Sequence, residues 1–104
     1  MKNEKILSLL GLARRAGKIS LGHDAAIGAI VKNSAKLCLI ASDASQRLKN
    51  EFSHACSYEG KTIDFIEIET DMLSLSKAVG SKAAVLTVDD EGFAKKIASL
   101  LKSN

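Results

Sequence analysis

Apolar positions along this chain recur at two alternating periods. Ile6, Leu9, Leu10, Ala13 and Ala16 return every three to four residues, which predicts a first amphipathic helix with Asn3 as its N-cap and Gly17 just past its end. Ile19–Leu21 is a short β-rich piece that predicts a small strand. Helical spacing resumes at Ala26, Ile27 and Ile30, starting near Gly22–Asp24 and ending at Asn33-Ser34. Lys36–Ala41 (KLCLIA) is a continuous apolar run that suits a strand buried on both faces. Asp43 and Gln46 match a capping box for a third helix with Leu48, Phe52, Ala55 and Cys56 inside, and Gly60 ends that region. Ile63–Ile68 (IDFIEI) predicts a strand, and Thr70 or Asp71 caps a short helix closed by Gly80. Ala83–Val88 predicts a last strand. Asp89-Asp90-Glu91 then opens a final helix with Phe93, Ala94, Ile97, Ala98 and Leu101 on its inner stripe.

Helix and strand thus alternate from end to end, which predicts a layered α/β domain spanning 1–104 with helices on both faces of a sheet. Ligands of open α/β sheets collect where βα loops gather. The expected loops are 21–24, 42–44, 70–71 and 89–91.

Composition adds limits. The chain has 104 residues, 46% hydrophobic and 26% charged, with no apolar run long enough for a membrane span. The N-terminal apolar patch lacks a small-residue cleavage site and reads as a helix, so the expected location is the cytoplasm, with no membrane partner. Cys38 and Cys56 form no C-x-x-C motif, and His23 and His54 add no metal-ligand spacing, so buried free thiols are expected and no metal or cofactor.

Charge is unevenly placed. The net is +3, but residues 1–50 carry nine Lys/Arg against three acids, and residues 51–104 carry six lysines against nine acids. A one-sided basic surface is the footprint of a polyanion binder, although a solvated helix face also produces one. Arg14, Arg15 and Lys18 fall within five residues, beside a helix start near Gly22 whose free N–H groups suit an anion. The same basic residues are also what a helix C-terminus favours.

Catalytic patterns are missing. Neither a Walker loop, a dinucleotide-binding glycine turn nor a nucleophile elbow occurs, and His23 and His54 have no evident nucleophile beside them. Helix capping accounts for Asp43, Asp89 and Asp90. The few aromatics, Phe52, Phe65, Phe93 and Tyr58, give no stacking platform for single strands, so RNA readout would rely on backbone groups, basic side chains and small apolar contacts.

The run GLARRAGKISLG, the junction KLCLIASDAS and the late segment LSKAVGSKAAVLTV together resemble the kink-turn RNA-binding ribosomal-protein superfamily, in its small bacterial ribosomal-protein-like branch. The resemblance covers nearly the whole chain. It implies a three-layer α/β/α sandwich with a central mixed four-stranded sheet and a non-enzymatic role in binding structured RNA, tied to ribosomes or other RNA–protein complexes; ribosomal proteins are expected as further partners, and the chain is expected to be a monomer. It implies a site on Gly17, Lys18, Gly22, His23 and Asp24, with Lys32 further along, and on Val79, Gly80, Ser81, Lys82 and Ala83 before the last strand; Val79 and Ala83 would press against an extruded base. Arg14 and Arg15 join this set by charge. Kink-turn binders carry G-x-N-E at the helix start and a lysine three residues after the Glu. This chain has Gly22-His23-Asp24-Ala25 and then Gly28. An ionised Asp24 accepts hydrogen bonds but donates none, and Ala25 does neither. Each missing base-directed pair is worth about 1–3 kcal/mol. The alternative is a ribosome-associated protein-interaction module on the same fold. Weaker still is an enzyme acting at the βα loops.

Overall fold

The computed structural model describes residues 2–102. Each stretch of helical period forms a helix and each short β-rich run a strand: α1 (Lys2–Arg15), β1 (Ile19–Leu21), α2 (Gly22–Val31), β2 (Leu37–Ile40), α3 (Gln46–Ser57), β3 (Asp64–Glu67), α4 (Met72–Val79), β4 (Val85–Val88) and α5 (Glu91–Lys102). A single 3-10 turn, Tyr58–Gly60, follows α3. Element order matches expectation throughout.

The strands pair in the order β1-β4-β2-β3. β4 is antiparallel to β1 and β2, while β2 and β3 are parallel. Alternation along the strands divides the core. Leu37, Leu39, Leu86 and Val88 pack with Ile6 and Leu10 of α1, Leu75 of α4 and Ile97 of α5. Cys38, Ile40 and Val85 pack on the other face with Ala26 and Ile30 of α2 and Phe52 and Cys56 of α3. The fold is therefore a three-layer α/β/α sandwich around a mixed four-stranded sheet. β2 and β4 are buried along their whole length, which explains why both read as unbroken apolar runs. Both cysteines are buried and free.

Four expectations about individual residues are corrected. Asn3 does not cap α1, because the helix already includes it. Ala16 is exposed, since α1 ends at Arg15 and Gly17 turns the chain at φ 74. The cap of α3 is Ser45, whose hydroxyl accepts from Leu48 N–H at 3.1 Å. Asp43 instead reaches across the molecule and accepts from Met72 N–H at 2.8 Å, helping to cap α4 beside Asp71. Asp90 does cap α5, through Phe93 N–H at 2.9 Å, but Asp89 caps nothing. It accepts the hydroxyls of Ser20 and buried Thr87, at 2.5 and 2.8 Å, and so satisfies a polar side chain inside the sheet.

The reversal of β4 also corrects the expected gathering of loops. β1, β2 and β3 finish at one end of the sheet, and β4 begins there. Loop 89–91 lies at the opposite end, and its place is taken by the connection 80–84.

Candidate nucleic-acid interface

Ala41 N–H donates to the Ala84 carbonyl at 2.9 Å, and Ser42 N–H to the Thr70 carbonyl at 3.0 Å. These bonds stitch three connections into one rim, and the start of α2 stands on the same rim because Leu21 pairs with Leu86. α2 springs from β1 without a loop. Gly22 makes the turn at φ 86, with nothing within 4 Å of where a Cβ would be, so backbone conformation rather than crowding calls for glycine. Leu21, the N-cap, has no side-chain cap to offer, and among the described residues the first N–H groups of this helix are left to water or a ligand.

His23 ties the helix start to α3. Its Nε2 lies 2.7 Å from Glu51 Oε2 and its Nδ1 3.0 Å from Asp24 Oδ1, and its ring stands edge-on to Phe52 with centroids 5.5 Å apart. Two carboxylates thus face the two ring nitrogens, an arrangement only the imidazolium satisfies with both N–H groups. The hydrogen bond to Glu51, then that to Asp24, raises the His23 pKa above its ordinary 6.5.

Along the rim, α4 and the connection 80–84 enclose an open groove of about 670 Å³ lined by Met72, Leu73, Ser76, Lys77, Gly80, Ser81 and Lys82, with Asp43 at its side. Leu73 is 66% exposed and supplies an apolar wall. Gly80 leaves α4 in the left-handed region at φ 80. Ser76 braces the loop, since its hydroxyl donates to the Met72 carbonyl at 2.7 Å and accepts from Ala83 N–H at 3.0 Å.

The expected site residues therefore divide. Gly22, His23, Asp24, Gly80, Ser81 and Lys82 share this rim. Gly17 and Lys18 do not: the Lys18 carbonyl accepts from Asp89 N–H at 2.8 Å, at the other end of β1. Arg14 and Arg15 occupy the last turn of α1 before it, and Lys32 is the C-cap of α2, a helix length from Gly22. Val79 and Ala83 are buried, at 4% and 5% exposure, which leaves little of either side chain to meet a base. The exposed apolar group of the groove is Leu73, beside half-buried Met72, and the sequence reading missed both. Leu73 carried a signal, because it falls out of phase with the Leu75–Val79 stripe that buries α4.

Comparison with known proteins agrees with this architecture. Residues 4–98 match the model of the Ribosomal protein L7Ae/L30e/S12e/Gadd45 family. A relative in Bacillus subtilis, named RNA-binding protein YlxQ, is 37% identical over 94 residues, covering 89% of this chain and 91% of its own. Its namesake in Enterococcus faecium is 31% identical over 99 residues, covering 95% and 93%. A solved structure from Bacillus halodurans, a protein of unknown function, superposes with a TM-score of 0.86 at 32% identity, covering 95% of this chain and 98% of that one. The 15.5kD RNA binding protein of Giardia lamblia superposes with a TM-score of 0.78 at 19% identity, covering 96% and 84%, a likeness of fold. By the extent of the family match and the identity to these relatives, the chain belongs to the L7Ae/L30e/S12e/Gadd45 ribosomal-protein family.

Proposed function

We propose that this chain is a non-enzymatic RNA-binding protein that recognises structured RNA, kink-turn-like or ribosomal, within the cytoplasmic translation apparatus. The observation that carries the reading is the reversal of β4, which sets the connection 80–84 and the uncapped start of α2 on one rim. The names of the relatives support it. In this reading the N–H groups after Leu21 and the Lys82 ammonium take phosphate oxygens. The groove walled by Met72 and Leu73 takes the face of an unstacked base, and Asp24 accepts from a base amino group or a 2′-hydroxyl.

Titration of the purified protein against a kink-turn RNA and a fully paired stem of equal length, at two salt concentrations, tests the proposal. Tighter binding to the kink-turn at both salts is the expected result. Equal affinity for the two RNAs overturns recognition at this rim. A second reading, a ribosome-associated protein-interaction module, is favoured by the rim's charge: its connections 22–24, 41–45, 68–71 and 80–84 hold four acids and one lysine. That reading predicts no binding to either RNA.

A further inference from the structure

The charge missing from this rim is concentrated at the other end of the sheet. There the connections 14–18, 32–36, 58–63 and 89–91 carry six Lys/Arg and four acids. Three of those acids are already engaged. Asp89 holds the Ser20 and Thr87 hydroxyls, Asp90 caps α5, and Glu91 pairs with Lys95 at 3.5 Å. Nearby Asp64 pairs with Lys102 at 3.3 Å. Lys18, Lys32 and Lys36 are exposed and, among the described residues, make no ion pair.

Backbone pairing sets the spacing of these charges. Lys18 precedes β1, and its carbonyl holds Asp89 N–H; Lys36 precedes β2, and its N–H donates to the Val88 carbonyl at 2.8 Å. The two flank β4, so their backbones lie about 10 Å apart at ordinary strand spacing. Beyond Lys36, Lys61 donates to Asn33 Oδ1 at 2.6 Å and so joins the turn after α2 to the approach to β3. Lys36, Lys61, Asn33 and Thr62 line an open polar hollow of about 340 Å³ there. An ordinary solvated helix face would spread its cations among acids in i,i+4 pairs. Here two ammonium groups without ion pairs, those of Lys18 and Lys36, are mounted on the strand starts either side of β4.

We propose that this edge is a second RNA-contacting face, which grips the phosphate backbone of a helix without reading its bases. The inference rests on the reading of the chain as an RNA-binding protein, but not on kink-turn recognition at the rim. Lys18 and Lys36 meet phosphates on either side of β4, and the hollow beside Lys61 receives another. A protein so built holds one RNA at two places, or two RNA segments at once.

The test titrates the double variant Lys18→Gln/Lys36→Gln against a blunt, fully paired RNA duplex and against a kink-turn RNA over a range of salt. Lys5→Gln/Lys96→Gln, which removes the same charge elsewhere, is the control. Each lost phosphate contact lowers the slope of log affinity against log salt by about one. The edge variant should therefore bind both RNAs more weakly, with slopes flatter by about two, while the ratio of the two affinities stays that of the wild type. The control pair should lose markedly less. Equal losses in the two double variants, or no duplex binding by the wild type, overturns the second face. A wild-type affinity ratio of one overturns rim recognition instead, so the two failures are told apart.

Discussion

His23 sits where its protonation state can be read directly. Glu51 and Asp24 raise its pKa, so the bridge between α2 and α3 is complete below the unfolded value of 6.5 and is lost as pH climbs through the higher folded value. An NMR titration of the His23 ring should give a midpoint above 6.5, and Glu51→Gln should bring it back towards that value. An unchanged midpoint in the variant would show that the 2.7 Å contact does not hold in solution. Other residues show what sequence reading misses at this scale. Asp43, Asp89 and Asp90 look alike as acids beside helix starts, yet Asp43 caps a helix 29 residues away and Asp89 serves two hydroxyls. Capping motifs are local, and nothing local records that the Met72 amide lies next to Asp43. Likewise nothing local showed that Val79, at the end of α4, and Ala83 would be buried.

Elements were far more legible than residues, because their signals are periodic and short-range. Even three-residue β1 was readable from Ile19 and Leu21 between two glycines. Strand direction was not, since the same AAVLTV run serves a parallel or an antiparallel strand. What decides it is α4, eight residues long, whose exit through Gly80 returns the chain to the sheet end it had just left. The crossing of α1 over α4 depends on a closer fit. A Cβ on Gly11 would stand 3.0 Å from the Ala78 carbonyl oxygen, whereas one on Gly28 in α2 would meet nothing within 4 Å. Alanine should therefore act in opposite directions at these two helical glycines. Gly28→Ala should stabilise by about 0.5–1 kcal/mol through backbone entropy. Gly11→Ala should destabilise by about 1–2 kcal/mol, because backbone must move to admit it. Urea unfolding of both variants measures the difference, and stabilisation at Gly11 would mean that the crossing is loose.

At the scale of the whole molecule, the sheet gives the protein two ends of opposite character, an acid-rich rim with an apolar groove and a basic edge. Their separation was hidden in the sequence because Lys18 and Gly22 are near neighbours in the chain. Only the extension of β1 between them, about 10 Å over three residues, sends them to opposite ends. The strand order has a further consequence, for the time at which the fold becomes possible. β1 pairs with β4 alone, and β4 also supplies one side of β2, so the first strand made finds its partner only when the last strand exists. A growing chain can pair β2 with β3, but it cannot complete the sheet. It must wait, with β1 unpaired and β2 open along one edge, until residue 88 has left the ribosome, and then close the longest-range contacts at once. A fragment ending at residue 84 should accordingly lack the cooperative urea transition of the whole chain, and adding the missing residues as a separate peptide should restore it.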